Sequence, residues 1–233
     1  MTPIDVREKP FVEGEEEGLE ILMNIQSDLN YKEQVIFFFF FVKNSILFQD
    51  SKDEFHLRTL ITINNLTFEK LINMDISSGV NYTLVRDKIL EIWRDYIKDN
   101  TGTCANYFGI INLYLIKEFL SGSYDDVKRE AKIMAKNVPI NKNHIDIVAR
   151  SNIICDLFEC KHSIFPHRKK LEEKQIPYLN GIVEELIEIN YQSRRCLATI
   201  EFVKKDKACS YVPNLCTLDI INGEDVFGVP MKS

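Results

Sequence analysis

The sequence has few of the residues that mark the most easily recognised protein classes. Its 233 residues include 6 cysteines, 9 glycines, 7 prolines and 1 tryptophan. So few cysteines cannot form the dense disulfide framework of a small secreted domain. Glycines that occur singly provide no phosphate-binding loop, and the nucleophile elbow and zinc-protease motifs are absent. Sequence motifs therefore support none of the familiar catalytic classes.

Long apolar runs are also missing. The longest, Val35–Val42, has eight residues, five of them consecutive phenylalanines, whereas a membrane-spanning helix needs about 20. The first ten residues carry charges and no apolar stretch, which predicts no secretory signal. These features predict a cytoplasmic or nuclear protein with reduced thiols. The phenylalanine run is predicted to be a buried element, and an exposed wedge for a membrane or a partner is the alternative.

The remaining composition is that of an ordinary folded chain, with 45% hydrophobic and 27% charged residues. The formal net charge is −6, and an acidic run at residues 13–20 contributes much of it. Proteins that coat nucleic acid carry a basic surplus to neutralise phosphates. The charge therefore excludes bulk coating of nucleic acid, although it leaves room for a local basic groove.

Hydrophobic spacing predicts a mainly α fold, either an irregular multi-helix bundle or a short stack of helical pairs. Asn30 and Glu33 form a capping-box pattern that predicts a helix from Tyr31 through the phenylalanine run. Val85, Ile89 and Trp93 follow helical spacing within a predicted helix at 83–98. Further helices are predicted at 15–26, 106–120, 123–136 and 143–159, and after Pro177.

A small antiparallel β element is predicted to close the C-terminus. Cys196–Val203 alternates apolar and polar residues, and Asn222-Gly223 lies between two short apolar runs, as in a β-hairpin. The predicted organisation is a flexible, acidic-leaning tail at 1–14, a helical body at 15–195, and a β-containing segment at 196–233 packed on that body.

The densest cluster of metal-type side chains contains Cys155, Cys160, His162 and His167. Thiolate and imidazole are the preferred ligands of structural zinc, so zinc is the one cofactor that the sequence suggests. Two of these cysteines are about 140° apart on a predicted helix, which opposes a shared ion. We therefore predict no metal site, and a zinc-stabilised domain or an enzyme centred on 155–167 remains an alternative.

Two weaker patterns resemble catalytic groups. Asp125, Asp126, Glu130 and Lys132 loosely match the set of a metal-dependent nuclease, which needs carboxylates to hold a divalent cation and a lysine to support the attacking water. Such sets usually lie on a sheet, whereas these residues are predicted on an exposed helix. Cys104, ahead of a predicted helix, is a candidate thiolate nucleophile. A solvated helix face and an inert thiol are the favoured interpretations, so no catalytic residue is predicted.

Basic residues occur in two segments, 161–170 and 194–207, that could together bind phosphates or an acidic partner. The candidate binding residues are Lys161, Arg168, Lys169, Lys170, Arg194, Arg195, Lys204 and Lys205.

Together these patterns predict a non-enzymatic helical module that binds another protein, as an adaptor or regulator. A nucleic-acid-binding accessory factor is the alternative that uses the two basic segments. The sequence fixes neither the partner nor the oligomeric state.

Overall fold

The computed structural model describes residues 2–11, 14–50, 53–59, 61–62, 72, 79–98 and 104–232, without the side chains of 44–50, 104–105 and 211. Its strands are β1 (Ile4–Glu8), β2 (Asp126–Ala135), β3 (Val138–Pro139), β4 (Ile145–Ser151), β5 (Ile154–Cys160), β6 (Arg195–Ala198) and β7 (Asp219–Ile221). Its labelled helices are α1 (Glu15–Asp28), α2 (Tyr31–Asp50), α3 (Tyr82–Ile92), α4 (Cys104–Ser121), α5 (Ile176–Glu188), α6 (Lys205–Tyr211) and α7 (Gly223–Phe227).

The chain forms two compact units. The sheet unit consists of Met1–Phe11, Asn112–Thr199 and Val203–Asn222, and the helical unit of Val12–Ile111, Ile200–Phe202 and Gly223–Ser233. All seven labelled strands belong to the sheet unit. Strand β1 lies within the segment predicted to be a flexible tail, where it pairs with β2 from Ile4 opposite Ala135 to Glu8 opposite Ala131.

The helical unit contains α1, α2 and α3, which the sequence predicts as helices. The capping box is formed, because Asn30 N donates to Glu33 Oε2 at 2.9 Å and Glu33 N donates to Asn30 Oδ1 at 3.2 Å. The helix that follows, α2, carries the phenylalanine run, as predicted. Phe37 and Phe38 are fully buried, and the Phe37 and Phe41 ring centroids are 4.4 Å apart. The run is therefore core within this unit.

The mainly α fold class was a wrong prediction, because the sheet unit contains a seven-stranded mixed sheet. Its strand order is β1-β2-β4-β5-β6-β7, with β3 paired to β2. The pairs from β1 to β5 are antiparallel, whereas β5, β6 and β7 run parallel to one another. The fold is thus α/β, with strands spread over the whole chain rather than confined to the C-terminus.

The helix predicted at 123–136 is instead strand β2, in which buried and partly exposed residues alternate from Val127 to Ile133. The buried side chain of Arg129 obscured this alternation in the sequence. Arg129 occupies an inward position and is 1% exposed, and its Nε lies 3.1 Å from Glu8 Oε1. Since charged residues are rarely buried unless paired, an arginine at this position does not by itself indicate an inward-facing strand residue.

The helix predicted at 143–159 is instead the β4–β5 hairpin. Ser151 pairs with Ile154, so only Asn152 and Ile153 form the loop. Asn152 has φ 51°, the left-handed conformation that two-residue hairpin loops require. Strand β5 is buried at six of its seven positions, including the charged residues Asp156 and Glu159. A strand that is buried on both sides has no alternation that distinguishes it from a helix.

The predicted C-terminal hairpin was also wrong. Strands β6 and β7 pair in parallel, and Asn222-Gly223 leads into α7 instead of turning back. Gly223 is required by a close approach, because a Cβ at this position would lie 2.6 Å from the Ile200 carbonyl oxygen.

Helix α5 covers one side of the sheet within the sheet unit. Its prediction after Pro177 is confirmed, with the proline in the first turn. Leu179, Ile182 and Leu186 pack with Cys155 and Leu157 of β5 in one hydrophobic cluster. This packing holds α5 along β5 and thereby positions Gln175, the residue that precedes α5. In the described part of the chain, no helix is both long enough and apolar enough to cross a membrane.

Candidate functional site

Two charged side chains lie at the end of β5. Side chains alternate along a strand, so Glu159 and Lys161 lie on the same side as Cys155 and Leu157, the side covered by α5. Lys161 continues the strand geometry, because its N–H donates to the Ala198 carbonyl of β6 at 2.9 Å. The end of β5 thus holds one carboxylate and one ammonium group two residues apart.

A second carboxylate comes from the neighbouring strand β4. The last paired residues of the hairpin at this end are Ile147 and Phe158, so Asp146 and Glu159 are next to each other one step further on. The Cys160 N–H donates to Asp146 Oδ2 at 2.8 Å. This hydrogen bond holds the Asp146 carboxylate against the end of β5.

The ammonium group of Lys161 is surrounded by oxygen atoms. Its Nζ lies 3.5 Å from Asp146 Oδ2 and 3.0 Å from the Cys160 carbonyl oxygen, and it contacts Glu159 Oε1. The Glu159 and Lys161 side chains are each 11% exposed, and that of Asp146 is 35% exposed. The set is therefore largely withdrawn from solvent but open on the Asp146 side.

Gln175 completes the group from the N-terminal end of α5. Its Nε2 donates to Glu159 Oε1, the oxygen that also contacts Lys161. Its own Oε1 is buried and has no hydrogen-bond partner among the described residues. A buried acceptor without a partner is costly, so this oxygen offers a position for a ligand or a water molecule.

The charges of this group are unbalanced. Burial, followed by the negative charge of Asp146, raises the pKa of Glu159 to about 7, although Lys161 opposes the rise. Burial alone would lower the pKa of Lys161, but the attraction of Asp146 and Glu159 outweighs it and the pKa is raised. Two close carboxylates that share one ammonium group repel each other, and an added cation would relieve that repulsion.

The donor set is suited to a hard divalent cation. Mg²⁺ is typically held by one or two carboxylates together with waters and substrate phosphates. Asp146 and Glu159 provide two carboxylates, and the Cys160 carbonyl oxygen is adjacent. No group of three His, Cys, Asp or Glu side chains that could hold a metal occurs in the described ranges. These donors are too few for a closed structural metal site. They fit an open site in which substrate and water supply the remaining ligands of the cation.

The four zinc candidates are spread over this region without converging. Cys155 and Cys160 lie on opposite sides of β5, five residues apart, so they cannot share one ion. The His162 and His167 rings contact each other edge to face, with centroids 5.5 Å apart. Burial, followed by His167 and Lys161, lowers the pKa of His162 to about 4. His162 is therefore neutral near pH 7.

The loosely nuclease-like set at 125–132 is engaged in other contacts. Asp126 pairs with Arg150 at 3.0 Å, Glu130 pairs with Lys9 at 3.2 Å, and Lys132 Nζ donates to the Asn141 carbonyl oxygen at 3.2 Å. Asp125 is exposed. The side chain of Cys104 lies outside the described residues, so its prediction as a nucleophile remains open.

The structure separates the predicted basic residues into two groups. Lys161 belongs to the carboxylate site, and Arg168, Lys169 and Lys170 form an exposed helical turn shortly after it. Lys204 and Lys205 start α6, and the Val203 and Ala208 side chains beside them pack in one hydrophobic cluster with Ile164 and Leu171. These six residues thus lie on two neighbouring segments of the sheet unit.

Arg194 and Arg195 lie elsewhere, at the start of β6. Because β6 runs parallel to β5, its start is directed away from the end that carries Lys161. Arg194 pairs with Asp156 at 2.7 Å and with Asp219 at 3.1 Å. Both arginines line a cavity of about 400 Å³ with Asn180 and Glu184. Two carboxylates therefore already neutralise most of the charge of Arg194.

Sequence reasoning missed Asp146, Glu159 and Gln175. On the helix predicted at 143–159, Asp146 and Glu159 would be about 20 Å apart along the axis, so they could not form a pair. The available signal was the Glu159-Cys160-Lys161 spacing, which places two charges on one side of a strand. This spacing indicates a shared side only if the segment is known to be a strand.

Comparison with known proteins does not assign the chain. No protein-family model matches it, and no curated protein matches it. Among solved structures it is similar to protein VC1899 from Vibrio cholerae, with 12% sequence identity and a TM-score of 0.39. That match covers 97% of this chain and 56% of the other. At this level the similarity supports no functional argument.

Proposed function

We propose that this chain is a divalent-metal-dependent phosphodiesterase that cleaves nucleic acid. The observation that carries the proposal is the meeting of Asp146, Glu159 and Lys161 at the ends of two adjacent strands. The sequence suggested the same chemistry for the set at 125–132, but on a helix face. Two carboxylates and a lysine on a sheet are the arrangement that metal-dependent nucleases need.

Each side chain has a distinct role in this proposal. Asp146 and Glu159 would hold the cation, which when bound polarises a phosphoryl oxygen and lowers the pKa of a coordinated water. Lys161 would position the attacking water and offset charge on the phosphate. Gln175 holds Glu159 in place through its amide N–H, and its buried oxygen can accept a hydrogen bond from the water.

Nucleic acid is the favoured phosphodiester because basic residues flank the site. Arg168, Lys169 and Lys170 are exposed within ten residues of Lys161. Lysine and arginine side chains on such a segment neutralise backbone phosphates and make binding salt-dependent. This combines two of the sequence-based alternatives, an enzyme centred on 155–167 and a nucleic-acid-binding factor.

The direct test is cleavage of labelled DNA and RNA oligonucleotides by purified protein with Mg²⁺, Mn²⁺ or EDTA. We expect cleavage with either metal and none with EDTA. Asp146→Asn should reduce the single-turnover rate by about 100-fold or more, since removal of a charge-stabilising group typically costs that much. Asp125→Asn, at an exposed carboxylate outside the site, should leave the rate unchanged.

Two results would contradict the proposal. One is the absence of metal-dependent cleavage for every substrate, with circular dichroism showing a folded wild-type chain. The other is an Asp146→Asn variant as active as wild type. A protein-binding adaptor role, which the sequence alone favours, has no specific observation in its support and remains a prediction, as do the cellular location and partner.

A further inference from the structure

The segment that follows Lys161 exposes an aromatic ring. Phe165 is 50% exposed, and the Arg168 guanidinium carbon lies 4.4 Å from its ring centroid. Arginine above an aromatic face forms a cation–π contact and adds a second planar group at the same place. What distinguishes Phe165 from other exposed phenylalanines, such as Phe55, is this guanidinium contact beside further basic residues.

The ring is presented by a rigid turn. Ile164 and Leu171, on either side of the exposed stretch, are both at most 1% exposed and belong to one hydrophobic cluster. His167 N donates to the Ile164 carbonyl at 3.1 Å and closes the turn, and Pro166 fixes one backbone angle within it. A ligand that stacks on Phe165 therefore pays little ordering entropy.

Three basic residues follow the ring in the same turn. Arg168, Lys169 and Lys170 are exposed, and the one ion pair that these three form within the described ranges joins Lys169 to Glu173 at 4.0 Å. An exposed pair of that length contributes little. The turn thus combines an aromatic platform with a local basic surplus in a chain whose net charge is −6.

We infer that this turn, 165–170, binds single-stranded nucleic acid and delivers it to the carboxylate site, an inference that rests on the proposed function. Aromatic rings stack on unpaired bases, whereas the bases of a duplex are already stacked on each other. Phe165 follows Lys161 by four residues, at most about 14 Å of chain. The ring is therefore close enough to the carboxylates for one bound strand of a few nucleotides to reach both.

The test is equilibrium binding of the full chain in EDTA, which prevents cleavage, to labelled 12-mers of dT, of rU, and of duplex DNA. We expect both single strands to bind more tightly than the duplex. Phe165→Ala should weaken single-strand binding about tenfold, the cost of one lost stacking contact. Phe55→Ala, at a phenylalanine that is 81% exposed, is the matched control and should bind as wild type does.

A charge-reversal variant tests the basic part of the turn. Arg168→Glu, Lys169→Glu and Lys170→Glu combined should weaken binding and flatten its dependence on salt concentration. Unchanged single-strand affinity in Phe165→Ala, or tighter binding of the duplex than of both single strands, would overturn the inference. The relative affinity for dT and rU identifies DNA or RNA as the source.

Failure of this inference and failure of the proposed function give different results. If Phe165→Ala binds normally while wild type cleaves with Mg²⁺ and Asp146→Asn does not, the stacking turn is refuted and the phosphodiesterase stands. If binding depends on Phe165 but no metal supports cleavage, the turn binds nucleic acid and the proposed reaction is refuted.

Discussion

The amide of Cys160 donates a 2.8 Å hydrogen bond to Oδ2 of Asp146 and so joins the ends of β4 and β5 through a side chain. Because of it, the Asp146 carboxylate stays beside Glu159 even though the two groups repel each other. The backbone of one strand thereby fixes a charged group of the next. The proposed site therefore has one of its two carboxylates held in place before any ligand binds.

Truncation of a buried phenylalanine of the run, Phe38, should destabilise the protein far more than truncation of the exposed Phe55. Phe38 is fully buried and its ring centroid is 5.7 Å from that of Phe227. Phe38→Ala should lower the free energy of unfolding by about 3 to 5 kcal/mol, because it removes apolar contacts and leaves a cavity. Phe55→Ala should change it by less than about 0.5 kcal/mol. Urea denaturation measures both, and equal effects would contradict burial of the run.

Local signals predicted the helical unit well because they are short-range. A capping box such as Asn30 with Glu33, or a stripe such as Val85 with Ile89 and Trp93, is complete within one or two helical turns. The sheet depended on long-range pairing. Arg129 occupies an inward strand position only because Glu8, from a strand far away in sequence, neutralises it, and no local pattern contains that information.

The candidate site was hidden for the same reason. Glu159 and Lys161 were visible as charges, and the basic residues near them were singled out from composition. Their partner Asp146 becomes adjacent only through the register of the β4–β5 hairpin, in which Ile147 pairs with Phe158. Gln175 joins the group only because α5 packs along β5. The site could therefore be predicted only from a correct assignment of β4, β5 and α5.

The difference in stability between wild type and Asp126→Asn should depend on pH. Burial alone would raise its pKa, but hydrogen bonds from Lys128 and Arg150 outweigh burial and hold the pKa below its usual value of 3.8. A lowered folded-state pKa stabilises the fold above the unfolded-state pKa, and this stabilisation is lost as pH falls through the folded-state value. Since the side chain is 27% exposed, Asp126→Asn should cost only about 0.5 to 1 kcal/mol at neutral pH.

The difference between wild type and Asp126→Asn should therefore shrink as the pH falls below the usual carboxyl pKa and disappear once Asp126 is protonated in the folded state. Urea denaturation at neutral pH and at successively lower pH measures it, with Asp125→Asn as the exposed control. A difference that is the same at pH 7 and at the acid end would show that Asp126 acts through packing and not through its charge.

The cysteines predict a graded reactivity toward alkylating agents. Burial raises the pKa of Cys155 to about 12 and also raises the pKa of Cys160 and of Cys196, whereas Cys216 is exposed. Because the thiolate is the reactive form, iodoacetamide should label Cys216 in the native protein and the three buried cysteines only after unfolding. Peptide mass spectrometry locates the label. If Cys155 in the native protein were labelled as fast as Cys216, its burial between the sheet and α5 would be contradicted.

The central claim is that Asp146 and Glu159 act as one metal-binding catalytic unit, and a double-mutant cycle on single-turnover cleavage with Mg²⁺ tests it most directly. Asp146→Asn and Glu159→Gln should each reduce the rate by about 100-fold or more. The double variant should be scarcely slower than either, because residues that work as a unit give non-additive losses. Wild-type cleavage by either single variant, or losses that simply multiply in the double variant, would contradict the claim.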